Sequence, residues 1–191
     1  MGRYLVCVTG ASGSAYGVRT VEAFLAAGHE VHLVFSTWGA RVFETETGRT
    51  VDAWLSGIGL PKDRVYAPDN LAAPPASGSW QLDGTVIVPC SMSTTGAVAS
   101  GATTNLVHRA AAVALKEGRT LVLVPRETPW SLVDLRNLTA LAEAGAAVLP
   151  ACPGFYHHPA TIDDMVNFVA GKILDRLGVG HALFDRWDGQ H

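Results

Sequence analysis

Net charge is nearly absent from this chain: 14 Lys and Arg stand against 17 Asp and Glu, a formal −3 over 191 residues. That excludes the broad basic field with which proteins hold nucleic acid non-specifically. Cysteine is scarce. Cys7, Cys90 and Cys152 are odd in number, far apart and without a Cys-x-x-Cys pair, so neither a disulfide framework nor a zinc knuckle is expected, and a reducing cytoplasm fits. No apolar run approaches the ~18 residues of a membrane helix. A strand-like run starting at Arg3 leaves no room for a signal peptide, so a soluble cytosolic protein without a membrane partner is expected. Two phosphate-binding signatures are also missing. Ser12 interrupts any Gly-x-Gly-x-x-Gly reading, and no Lys-Ser/Thr pair follows the glycines, which weakens dinucleotide and ATP readings.

What the chain does have is apolar residues, at 48%. A chain of this length fits one domain, expected over 1–191, that buries roughly 70% of its unfolded surface and folds without metal or disulfide staples. Five near-continuous apolar runs, Tyr4–Thr9, Val31–Phe35, Thr85–Val88, Thr120–Val124 and Ala146–Leu149, read as parallel strands buried on both faces. Helical patterns alternate with them. Ser131 with Asp134, and Thr161 with Asp164, are capping boxes that open helices ended by Gly145 and Gly178; Thr104 is read as the cap of a third, stopped by Gly118. The expected fold is a three-layer α/β domain, Rossmann-like or flavodoxin-like, with helices on both faces of a parallel sheet. Residues Pro68–Gly78 read as a proline-rich loop or arm, and the tail from Gly180 as a segment that packs on a neighbouring surface.

Ligands of open parallel sheets bind beyond the carboxyl ends of the strands. After the first strand comes Gly10-Ala11-Ser12-Gly13, a turn permitting close backbone approach, whose following helix offers N–H groups to a phosphate or a flavin edge. Ser36 follows the second strand, and Ser91, Ser93 and Thr94 follow the third. One hydroxyl there would be an ordinary helix cap, but three in four residues favour a ligand. Arg126-Glu127 follows the fourth strand between two prolines, and Tyr156 follows the fifth. Taken singly, Arg109, Lys116 and Lys172 read as solvated helix charges that matter only if neighbouring subunits bring them together. His157-His158 is not read as a metal site, since adjacent extended residues point opposite ways and no third ligand is suitably spaced.

Thr9-Gly10-Ala11-Ser12-Gly13, Pro74-Pro75-Ala76-Ser77-Gly78-Ser79, Pro89-Cys90-Ser91, Arg109-Ala110-Ala111 and Pro125-Arg126-Glu127-Thr128-Pro129 stand in the order and spacing of the flavin prenyltransferases of the UbiX type. So do Leu115-Lys116-Glu117 and Gly154-Phe155-Tyr156-His157, and the resemblance runs from about Tyr4 to Arg186-Trp187. It implies a homododecamer with active sites at subunit contacts, FMN as cofactor and dimethylallyl phosphate as prenyl donor, serving a UbiD-type decarboxylase. Residue by residue, it implies an FMN site of Gly10, Ala11, Ser12, Ser36, Ser91, Ser93, Thr94 and Arg126. It implies a donor phosphate met by Arg109, Lys116, Tyr156 and Lys172, and catalytic roles for Ser12, Glu46, Lys116 and Glu127, without a metal. Lys172 stands where many relatives have Arg, and so lacks the planar fork. The alternatives are an FMN-dependent cysteine decarboxylase-like enzyme and a non-catalytic FMN carrier; the cysteine decarboxylases' early His and loop Asn are missing, since the first His is His29 and the loop reads Pro75-Ala76-Ser77-Gly78.

Overall fold

The computed structural model describes residues 1–187 and 189. Six parallel strands form one sheet: β1 (Arg3–Val8), β2 (Glu30–Phe35), β3 (Val65–Tyr66), β4 (Gly84–Cys90), β5 (Leu121–Pro125) and β6 (Ala147–Val148). Seven helices accompany them: α1 (Ser14–Ala26), α2 (Thr37–Thr47), α3 (Val51–Ile58), α4 (Met92–Ala99), α5 (Leu106–Lys116), α6 (Leu132–Glu143) and α7 (Ile162–Arg176). The five expected strands are present. The sixth, β3, is a two-residue edge that pairs Val65 and Tyr66 with Leu33 and Val34, too short to leave a periodic signal.

The strand order is β3-β2-β1-β4-β5-β6. Winding reverses between β1 and β4, so the topological switch point lies at their carboxyl ends. With the short edge strand set aside, the order is that of the flavodoxin-like fold, which is why the two fold names meet in this chain.

Alternation along β1 sorts the core into two layers. Tyr4, Val6 and Val8 join Phe24 of α1, Phe43 of α2, Trp54 of α3 and Ile173 of α7 on one face. Leu5 and Cys7 join Val98 of α4, Leu106 and Ala110 of α5 and Leu141 of α6 on the other. Close approach positions the helices. A Cβ on Gly17 would stand 2.6 Å from Val88 O, so α1 lies against β4 with nothing between.

Both capping boxes form, at Ser131 with Asp134 and Thr161 with Asp164. The cap of α5 is Asn105, not Thr104: Asn105 accepts the His108 N–H, while the Thr104 hydroxyl is 3.0 Å from His108 Nδ1. The proline-rich stretch is an ordered arm with a single 3-10 turn at Pro74–Ala76, laid along α5. The described part of the tail folds onto its own α7, where Arg186 and His181 bind Asp175 and Phe184 packs on Phe168. Positions 188, 190 and 191 of the expected tail lie outside the described residues. No helix among the described residues is long and apolar enough to cross a membrane.

Candidate active site

At the switch point, Thr9 stitches two loops together. Its hydroxyl donates to Pro89 O at 2.8 Å, inside the protein, and accepts the Ser91 N–H at 2.8 Å in a partly buried bond. The first-strand turn and the Ser91 cluster are therefore one structural unit, a link that spacing along the chain does not reveal. Ser91 caps α4, and its hydroxyl lies 3.0 Å from both Ser93 Oγ and Thr94 Oγ1. Ser36 caps α2 in the same way, accepting the Gly39 N–H at 3.0 Å. Capping and ligand binding are thus not exclusive here: two hydroxyl-capped helix amino ends, each with a positive dipole end, open beside the end of β1.

The turn after β1 departs from expectation in one respect. Gly13 begins α1 with φ 109 and no side chain to cap it. The cap comes from α2: Glu46 accepts the Gly13 N–H at 3.0 and 3.1 Å and the Ser14 N–H at 2.7 Å. The N–H groups expected to receive a ligand's phosphate therefore already hold a carboxylate of the protein. Partial burial would push the Glu46 carboxyl up, but the polar surroundings of the loop, chief among them the hydrogen bonds from the Ser14 and Gly13 N–H groups, outweigh it and hold the carboxyl below its ordinary range. Glu46 sits in the last turn of its own helix, where the dipole disfavours it, and at the first turn of α1, where the dipole favours it.

Arg126 reaches from the end of β5 to the same loop, donating from Nε to Ser12 O at 3.0 Å. Ser12, Glu46 and Arg126, from three distant segments, thus meet, with Ser12 and Glu46 open to solvent. Gly10 is pressed against α2, where a Cβ would lie 2.6 Å from the Trp38 Cβ, and Ala11 is buried beneath the loop. Glu127 is exposed, and one of its oxygens accepts the Thr128 N–H at 3.1 Å. Cys90, buried beside Ser91, is no nucleophile: burial first, and the neighbouring Cys7 second, push its thiol far up.

The remaining predicted residues stand elsewhere on the chain. Tyr156 lies exposed after β6, edge-on to Phe168 and Trp187. Lys172 is on α7, 3.8 Å from Asp175. Arg109 and Lys116 are on α5, where Arg109 donates to Ala76 O at 3.0 Å and Lys116 pairs with Glu117. Since α5 and α7 cover opposite faces of the sheet, one copy cannot bring these three cations to one phosphate. Lys116, at the end of α5 that returns to the amino edge of the sheet, is separated from the switch point by the length of a strand, about 20 Å. Among the described residues no group of His, Cys, Asp and Glu is suited to a metal.

Comparison with known proteins agrees with this geometry. The Flavoprotein family matches residues 2–174. Flavin prenyltransferase UbiX of Halalkalibacterium halodurans is 45% identical, with 97% of this chain and 93% of the relative covered. A crystal structure of AnUbiX (PadA1) in complex with FMN and dimethylallyl pyrophosphate superposes with a TM-score of 0.95 at 37% identity, covering 100% of this chain and 99% of that one. The dodecameric FMN-dependent UbiX-like decarboxylase from Escherichia coli O157:H7 does so with 0.91 at 40% identity, covering 98% and 99%. The FMN-dependent cysteine decarboxylase TvaF shares the fold alone, at 18% identity and a TM-score of 0.60 over 78% of this chain and 89% of that one. With this fold, this switch-point site and relatives matched almost end to end, the chain belongs to the Flavoprotein family and, within it, to the flavin prenyltransferases of the UbiX type.

Proposed function

We propose that the protein joins the dimethylallyl group of dimethylallyl phosphate to N5 and C6 of reduced FMN, making prenylated FMN for a UbiD-type decarboxylase. The observation that carries this reading is the meeting of Ser12, Glu46 and Arg126 beside the hydroxyl-capped ends of α2 and α4, at the switch point of a fold shared with a UbiX structure holding FMN and a dimethylallyl donor.

The residues present fit FMN. Two helix amino ends with hydroxyl caps suit a phosphate. The exposed turn at Ser12 leaves backbone open to a ring system, and Arg126 supplies a cation at the loop edge. The holding residues are Gly10, Ala11, Ser12, Ser36, Ser91, Ser93, Thr94 and Arg126. When bound and reduced, FMN supplies the nucleophilic nitrogen and carbon that receive the allyl group.

The chain's own work is to stabilise a leaving group and to hold protons. An allylic phosphate departs readily when its charge meets preorganised cations in a dry site, which is the role of Arg109, Lys116 and Lys172, with the Tyr156 hydroxyl as a further donor. Preformed cations of this kind replace the metal that a pyrophosphate leaving group recruits. Because those residues lie on opposite faces of one copy, the reading requires neighbouring copies to complete the site in a homo-oligomer, and the UbiX-like neighbour is dodecameric. Glu127 is exposed with one carboxylate oxygen engaged by Thr128, which leaves it able to hold a proton, while the exposed Ser12 stands in the loop that Glu46 and Arg126 fix. All three cysteines are free, which supports a reducing, cytoplasmic setting.

The test is direct. The protein is incubated anaerobically with reduced FMN and dimethylallyl phosphate, and the released flavin is weighed by mass spectrometry. A gain of one prenyl group is expected. An unmodified flavin mass would reject the enzyme and leave FMN carriage as the surviving activity.

A further inference from the structure

We infer that Arg119, which lies outside both the flavin and the donor residues named above, is the positioning residue for the donor site, acting by fixing the arm between Ala76 and Trp80. The inference rests on the reading of Arg109 and Lys116 as the cations that meet the donor phosphate.

Local structure aims Arg119. At the end of α5, Gly118 takes φ 64, a left-handed conformation that a side chain would disfavour, and the Arg119 N–H returns to Ala114 O at 2.8 Å. This closes the helix and turns the next side chain back along it. The guanidinium then donates to two carbonyls of the arm at once, to Trp80 O at 2.8 Å and to Gly78 O. A planar fork with fixed donors suits that task, whereas an ammonium on a flexible stem serves one carbonyl.

The arm so held runs along α5 from end to end. Pro68 O accepts the Leu106 N–H at 2.7 Å, Ala76 O accepts Arg109 Nε, and Gly78 lies against the Lys116–Glu117 pair. A Cβ on Gly78 would stand 2.7 Å from Lys116 Nζ and 2.8 Å from Glu117 Cδ. Two donor-binding cations are therefore set against arm backbone, one by hydrogen bond and one by contact. Arg119 is the side chain that holds Gly78, the part of the arm that lies against Lys116. Releasing it would free Gly78 and alter the placement of Lys116 without touching the flavin site, which lies at the other edge of the sheet. The fold should survive, because Trp80 stays anchored edge-on to His32 at 4.7 Å and beneath the Arg3 guanidinium at 5.0 Å.

The experiment compares Arg119→Gln and Arg119→Lys with the wild type as FMN-loaded protein. Steady-state kinetics with dimethylallyl phosphate, FMN titration and hydrogen–deuterium exchange of segment 74–81 are measured. Arg119→Gln is expected to raise KM for the donor about tenfold through the displaced arm, with kcat changed little and FMN affinity unchanged. Exchange in 74–81 should quicken while α5 stays protected. Arg119→Lys should recover part of the KM, since it restores one of the two bonds. Unchanged exchange in 74–81, an unaltered KM, or a loss of FMN affinity and thermal stability in proportion to KM would each overturn the inference. A wild-type protein that leaves flavin unmodified would count against the proposed function, while the exchange measurement still decides whether Arg119 holds the arm.

Discussion

Replacing Glu46 tests the most unusual feature of the site, a helix whose cap is supplied by a different helix. The carboxylate takes two backbone N–H groups of α1 and sits at its positive dipole end. A hydrogen bond to a charged group contributes about 1.5–3 kcal/mol when buried, and a charge at a helix end about 0.3–1 kcal/mol. Glu46 is exposed, so solvent screening cuts these figures, and Glu46→Gln, which keeps one carbonyl acceptor, should cost about 1 kcal/mol and Glu46→Ala about 2. For a chain of this length that is a fall in Tm of about 2–4 °C and 4–8 °C respectively. The assay is thermal denaturation at one protomer concentration, since assembly would itself shift Tm.

The pH dependence is the sharper discriminator. In the unfolded chain Glu46 titrates near its ordinary 4.5, and in the folded protein lower. A carboxylate of this kind contributes stability that is complete above the unfolded value and is lost as pH falls toward the folded one. The gap between wild type and Glu46→Gln should therefore be constant above about pH 5.5 and narrow below about pH 4.5. A gap that stays the same down to about pH 3.5, or that widens on acidification, would refute the assignment of the cap to an ionised Glu46.

Three further substitutions probe separate links. Thr9→Val removes the hydroxyl that joins the two loops and leaves the Ser91 N–H without its acceptor, so urea denaturation should show a loss of about 2–3 kcal/mol, with FMN affinity falling as well. Gly17→Ala drives a Cβ into the Val88 carbonyl, which is backbone and cannot rotate away; a destabilisation of about 1–3 kcal/mol is expected, whereas Gly57→Ala, within α3 where a Cβ meets nothing, should stabilise by about 0.5–1 kcal/mol. Glu127→Gln should retain FMN, as judged by titration, yet stall formation of the prenylated flavin in single-turnover mixing; undiminished turnover would remove Glu127 from the mechanism.

Much of the scaffold is legible from residue pattern because β1, β2, β4 and β5 are near-continuous apolar runs, and a strand buried on both faces leaves few other choices. Helix starts with a Ser or Thr and an Asp three residues on are legible for the same local reason: the cap and its partner lie within one turn. Where a competing cap lay one residue away, at Thr104 and Asn105, pattern chose the wrong one, since geometry and not composition decides which side chain faces the open N–H. The site hydroxyls were visible as a cluster, but the Thr9 bridge, the Glu46 cap on α1 and the Arg119 hold on the arm were not. Each joins groups dozens of residues apart, or joins a side chain to a carbonyl that carries no sequence signal.

By itself, then, the amino-acid order determined the layers, the strand count to within one short edge, and the residue types offered at each strand end, because burial and capping act over a few neighbouring residues. Which of those groups actually meet was decided by the tertiary structure. Winding reverses between β1 and β4, and that reversal brings the loops of Ser12, Ser91 and Arg126 to one end of the sheet, where Glu46 meets the first of them, while α7 and α5 hold Lys172 and Lys116 on opposite faces. No local rule contains that information, since it depends on the order in which strands pair.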